Sequence, residues 1–258
     1  MKWLSIAGVA VLCLVGYVAF VYMKVPPQKV VITKSLVQWQ SAGDSASSTR
    51  LVKDSIGRIA SVENNVETNN FHFWADSVLI SEYSKTEDRI VYTFKGRRDT
   101  SGKLISGKAI ATYDVYEPDT VQHRFEYNAG GYLVKEYRDY GRTGTYIIAY
   151  EYDGSDVIKI STWLNNELNN TKELAYYKEK NNLTGLEDFK FRRNINSLAG
   201  NSSRHLVKQI TSTAGNGKRN YSFTYEYETD EDGMPVKLIA KHGKKVSTVT
   251  TYYYAAKL

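Results

Sequence analysis

Cysteine occurs once in the 258 residues, at Cys13, and proline only four times. A single thiol excludes a disulfide-stapled scaffold. Because Cys13 lies inside an apolar run, thiol catalysis and cysteine-ligated zinc are also excluded from the rest of the chain. Histidine is scarce too. His72, His123, His205 and His242 are the full set, and none has another within four residues to form a local metal pair. His72 stands four residues before Asp76, and the expectation for it is a half-buried strand histidine rather than a ligand. Missing altogether are Gly-x-Ser-x-Gly, a phosphate-binding loop, Gly-x-Gly-x-x-Gly and His-Glu-x-x-His. The sequence therefore assigns no catalytic residue, no cofactor site and no metal site, and the chain is read as a non-enzyme.

Long apolar runs are confined to one place. Trp3 to Met23 form 21 uncharged positions between Lys2 and Lys24. About 20 apolar residues in a helix cross a hydrocarbon layer of ~30 Å, and Trp3, Tyr17 and Tyr22 suit the interfacial positions of aromatics. A cleaved signal peptide has a shorter apolar region and a small-x-small site, which Tyr17 before Ala19 fits poorly. Val11 and Leu12 likewise do not fit a lipoprotein site ahead of Cys13. We expect residues 1–23 to be an uncleaved transmembrane anchor, 24–29 a spacer in which Pro26 and Pro27 stop the helix, and 30–258 one domain. Lys24, Lys29 and Lys34 would favour a cytoplasmic body by the positive-inside rule. The Met-Lys start followed by an apolar run has the form of a signal-anchor, and on that ground the body is expected outside the cytoplasm, periplasmic or at the cell surface.

Helical periodicity is lacking beyond residue 30. The best helical stretch, residues 164–180, is broken by Asn165, Asn166, Asn169 and Asn170. What recurs is period two, with 21 tyrosines supplying most of the rings. Phe71-His-Phe73, Phe125-Glu-Tyr127, Tyr150-Glu-Tyr152 and Tyr225-Glu-Tyr227 each place two aromatics on one strand face. Between such runs stand Asp99-Thr-Ser-Gly102, Asn128-Ala-Gly-Gly131, Asp153-Gly154, Gly215-Asn-Gly217 and Asp230-Glu-Asp-Gly233. Asp and Asn bond their own turn and Gly supplies positive φ, so each is a hairpin signal. Aliphatic strands follow, such as Tyr132-Leu-Val-Lys135 and Val157-Ile-Lys-Ile160. The expected fold is all-β: an antiparallel meander of hairpins in a large twisted or partly closed sheet, preceded by one N-terminal transmembrane helix.

Phe125-Glu-Tyr-Asn-Ala-Gly-Gly-Tyr-Leu-Val134, Tyr150-Glu-Tyr-Asp-Gly-Ser-Asp-Val-Ile158 and Tyr225 to Val236 resemble the pattern Tyr-x-Tyr-Asp-x-x-Gly-x-Leu. That is the tyrosine–aspartate repeat of RHS-type bacterial surface proteins. Leu206 to Tyr254 is also similar to the C-terminal part of envelope proteins and lipoproteins of the Bacteroidetes type. The likeness covers about half the body in scattered units, with Asn128 in place of one Asp and irregular spacing. It implies a β-hairpin surface domain and no catalytic residues.

The formal net charge is +6, carried by pairs such as Arg97-Arg98, Arg192-Arg193 and Lys218-Arg219 with acidic residues dispersed among them. A solvated face explains this better than nucleic-acid binding, and no nucleic-acid partner is expected. Asp153, Asp156, Asp230 and Asp232 offer too few oxygens for calcium and read as turn chemistry. Tyrosine remains, since its apolar ring and polar tip suit protein and sugar contacts. The candidate ligand surface is Tyr127, Tyr150, Tyr152, Tyr225 and Tyr227. The expected role is that of a membrane-anchored binding or scaffold protein of the cell envelope, recognising a protein or glycan. The alternative is a lipid or lipoprotein carrier with an open β-barrel groove. A glycan hydrolase using two carboxylates ranks last.

Overall fold

Five-residue turns set the architecture. In the computed structural model the backbone is described for residues 28–32, 36–41, 48–53, 59–112, 119–182 and 198–253, and side chains for 60–112, 120–182 and 198–252. Residues 99–103, 128–132 and 230–234 close alike. The first N–H donates to the fifth carbonyl, and the glycine N–H donates back to the first carbonyl. The leading Asp99, Asn128 or Asp230 side chain accepts the N–H of the fifth residue at 2.9, 3.0 and 2.8 Å. Gly102, Gly131 and Gly233 take φ of 85°, 78° and 78°, which a side chain would resist. The hairpins are written in the sequence by these two positions.

The strands are β1 (Gln28–Ile32), β2 (Leu36–Ser41), β3 (Ser48–Lys53), β4 (Ile59–Glu63), β5 (Glu67–Phe73) and β6 (Ser77–Ser84). β7 (Arg89–Arg98), β8 (Leu104–Ala111), β9 (Asp119–Tyr127), β10 (Leu133–Asp139) and β11 (Thr145–Asp153) follow. β12 (Asp156–Leu164), β13 (Glu167–Asn181), β14 (His205–Ala214), β15 (Arg219–Thr229), β16 (Pro235–His242) and β17 (Lys245–Tyr253) complete the order. A 3-10 turn, Gly141–Thr143, joins β10 to β11.

From β4 to β17, fourteen consecutive strands form one antiparallel meander. No pairing among the described residues joins β4 to β17 directly. The backbones of β2 and β3 extend the meander beyond β4. β1 lies antiparallel to β2, with Gln28 opposite Ser41, and parallel to β17, with Gln28 opposite Thr250.

The all-β meander agrees with the period-two reading. β1 begins at Gln28, inside the stretch read as a spacer. The anchor expected at residues 1–23 lies outside the described residues, and no helix among the described residues is long and apolar enough to cross a membrane. The stretch 164–180 is the end of β12, a two-residue turn and most of β13. The asparagines that spoil a helix there build the hairpin, for Asn165 and Asn166 take φ of 51° and 69°.

Alternation decides which side chains are buried. On β9, Val121, His123 and Phe125 point inward while Gln122 and Arg124 are exposed. The core runs through Ile80, Phe94, Leu104, Leu133, Val157 and Ile160, joined by Leu198 and Ala199 from the segment before β14. Phe94 depends on two glycines. Gly96 and Gly107 pair across β7 and β8, and a Cβ on Gly107 would fall 2.2 Å from the Phe94 ring. Absent side chains thus make the slot for the ring.

Candidate ligand surface

The tyrosines divide by what their hydroxyls hold. Tyr152 on β11 donates to the carbonyl of Leu133 at 2.8 Å, and Tyr176 on β13 to that of Val157 at 2.9 Å. In both cases the acceptor stands 19 residues earlier, at the start of the strand that leaves the preceding hairpin turn. Each ring packs on the sheet while its tip ties down the neighbouring hairpin. Tyr127 does the same for the segment before β14, donating to the Leu198 carbonyl at 3.2 Å. Its phenol is held well above the ordinary range by burial and then by the charges of Asp99 and Glu136. Tyr150 is 4% exposed and belongs to the core. Of the five tyrosines read as a ligand surface, Tyr127, Tyr150 and Tyr152 are thus engaged in sheet building.

Tyr225 and Tyr227, both half-buried on β15, stand in a different setting. There Tyr177 of β13 donates its hydroxyl to the Tyr225 carbonyl at 2.9 Å, and its ring meets that of Tyr227 edge-on at 6.2 Å. Two cations flank the Tyr177 ring. Lys180 Nζ lies 5.0 Å from its centroid and Lys208 Nζ 5.6 Å. Lys180 also donates to the Tyr227 carbonyl at 3.0 Å. Lys208, exposed on β14, has no carboxylate partner among the described residues. Glu226 is already paired with Lys241 at 2.5 Å. Burial first, then the charges of Glu226 and Glu179, raise the Tyr177 phenol above its usual value, so it stays a protonated donor.

Sequence reasoning missed Tyr177, Lys180 and Lys208. Register shifts between Ala175 and Tyr176, and between Tyr177 and Asn181, bring Tyr177 and Lys180 against β14 and β15. Bulges of this kind re-aim side chains without leaving a period in the sequence.

Two further polar groups are structural. Glu136, fully buried on β10, accepts from Nε and Nη2 of Arg138, at 2.7 and 3.0 Å, and contacts His123 Nδ1 at 3.2 Å. Burial alone would raise its pKa, but Arg138, followed by His123, overrides this and brings it from 4.5 to about 2. Asp156 receives the His205 N–H at 3.0 Å, contacts His205 Nδ1 at 2.7 Å and is met by Lys178 Nζ at 3.2 Å. These contacts hold its carboxyl below the ordinary value against its own desolvation. The Asp230 carboxylate is occupied by turn N–H groups. His72, expected half-buried, is exposed on β5. No group of three or more potential metal ligands occurs among the described residues.

No family model matches the chain, and no curated protein matches it. Solved structures do. A porin-like protein from Bacteroides uniformis covers 83% of this chain and 86% of its own, with a TM-score of 0.58 at 12% identity. A porin-like protein from Bacteroides vulgatus covers 84% and 95%, with a TM-score of 0.59 at 15% identity. At such identities the likeness establishes a shared β fold.

Proposed function

We propose that this chain is a membrane-anchored, non-catalytic binding or scaffold protein of the bacterial envelope, its body held outside the cytoplasm. We further propose that it recognises a glycan or protein through the aromatic and cationic cluster around Tyr177. The observation that carries the reading is Lys208, an exposed cation set over an aromatic ring with no carboxylate of its own. Rings offer a stacking face to a sugar, and a lysine without a carboxylate offers charge to its acidic substituents. The fold shared with porin-like proteins of Bacteroides supports an envelope setting. The ties made by Tyr152 and Tyr176 supply a physical reason for a recurring tyrosine of the tyrosine–aspartate kind.

The described strands are not read as a lipid-facing wall. Lys159–Glu151, Arg124–Glu126, Lys237–Glu228 and Lys241–Glu226 lie on their exposed side. Charges on a lipid-facing strand cost about 2–4 kcal/mol each near mid-bilayer. The carrier alternative is disfavoured because Phe94, Ile80, Leu104 and Leu133 fill the apolar side with the protein's own side chains.

The full chain in detergent, presented to envelope glycan fractions and to a panel of neutral and acidic oligosaccharides, tests the reading. Retention should fall at least about tenfold in a Lys180→Ala/Lys208→Ala variant, as expected when two charge-assisted contacts are lost. Equal retention of both proteins, or of neither, would sink it.

A further inference from the structure

In an antiparallel meander successive turns alternate between the two ends of the sheet. The turns that follow β4, β6, β8, β10, β12, β14 and β16 therefore share one end, and those that follow β5, β7, β9, β11, β13 and β15 share the other. β1 runs antiparallel to β2 and parallel to β17, with Gln28 opposite Thr250, so the strand heads away from the former end, where β17 begins at Lys245.

Exposed aliphatics occur along that end, whereas Trp74 and Ile158 lie toward the other. Val66 sits in the turn after β4, and Ile90, Leu168 and Val246 are each the second residue after a turn at this end, with exposures of 55%, 52%, 43% and 49%. Where β14 to β17 turn, the same end is basic. The turns into β15 and β17 carry Lys218, Arg219, Lys244 and Lys245, all exposed, with no carboxylate between residues 214 and 219 or 242 and 247. Among the described residues these four cations have no ion-pair partner. The opposite turn of the same strands is acidic, with Asp230, Glu231 and Asp232 exposed. Elsewhere on this end, Glu63 and Glu87 are met by Lys85 and Arg89, while Glu67, Asp88, Asp139 and Glu167 lie farther along the meander, away from the four cations.

We infer that this end of the sheet, through Lys218, Arg219, Lys244, Lys245 and Val246, rests on the anionic lipid headgroups of the membrane that holds the N-terminal segment. A basic rim with aliphatic tips matches an interfacial contact, and the acidic end is turned away from negative lipid. The inference rests on the expected anchor at residues 1–23 for proximity, whereas the choice of end comes from charge and chain direction.

The test uses full-length protein in a Cys13→Ser background, labelled with a fluorophore at Asn216→Cys or at Asp232→Cys. It is reconstituted in vesicles of phosphatidylcholine, with or without phosphatidylglycerol, that contain a headgroup-attached nitroxide quencher. The probe at 216 should be quenched several-fold more than the probe at 232 in the anionic vesicles. This difference should shrink in high salt and in a Lys218→Gln/Arg219→Gln/Lys244→Gln/Lys245→Gln variant. Equal quenching at the two positions, stronger quenching at 232, or a difference indifferent to lipid charge would overturn it. Carbonate extraction of the same vesicles reads the anchor separately. Protein retained after carbonate with probe 216 unquenched refutes the contact while the anchor stands. Protein released by carbonate yet quenched at 216 refutes the anchor while the contact stands.

Discussion

A carboxylate with no exposure is costly unless its partners outweigh the loss of water, and Glu136 shows the balance. Folding lowers its pKa from 4.5 to about 2. The ionised group therefore stabilises the fold above about pH 4.5, and this contribution is lost as pH falls toward 2. A shift of that size corresponds to about 3 kcal/mol. The lowered Asp156 acts in the same sense. Urea midpoints measured from pH 7 down to pH 2 should fall steeply through this window, and Glu136→Gln should lose about 3 kcal/mol at pH 7 while flattening the acid limb. At Tyr152 the phenol can be separated from the ring. Tyr152→Phe keeps the packing and strands the Leu133 carbonyl, and should cost about 1 kcal/mol in the same assay. Apart from Arg138, two residues after Glu136, these partners are distant in sequence. Glu136 and His123 are 13 residues apart, and Asp156 and His205 are 49 apart.

Hairpins were legible where one residue type dictates backbone shape. Asp99, Asn128 and Asp230, each three positions before a glycine, announce their turns, and Asn165-Asn166 announces another once strand rather than helix is read around it. Less legible were glycines whose role is to make room. Gly107 lacks turn geometry and serves the Phe94 ring, so Gly107→Ala should push that ring from its slot at a cost of about 1–3 kcal/mol, read as a lowered thermal midpoint. Gly200 combines φ of 86° with a carbonyl, that of Gly131, only 2.8 Å from where a Cβ would be. Gly200→Ala should loosen the segment Leu198–Ser203 from the turn at 128–132. Limited proteolysis should then cut there faster while the rest of the sheet resists. The candidate site was half legible. Tyr225 and Tyr227 carry a period, whereas Tyr177, Lys180 and Lys208 reach them through irregular pairing in β13.

For the whole molecule, period-two alternation already pointed to β structure, but the placing of β1 had no sequence signal. Among the described residues it makes the one parallel pairing in an otherwise antiparallel sheet. Removing residues 1–32 would leave β2 and β17 as open edges with unpaired backbone groups, so the truncated protein should self-associate. Sedimentation velocity in detergent, compared with the intact chain, checks this. The same pairing bears on biogenesis. A polypeptide whose earliest ribbon waits for its last cannot complete its hydrogen-bonded lattice during synthesis or while threading through a translocase. Its leading segment must stay apart from premature partners until the final residues emerge. Late completion of the sheet is the expected consequence of where five residues sit, to be read as a slow final phase in refolding.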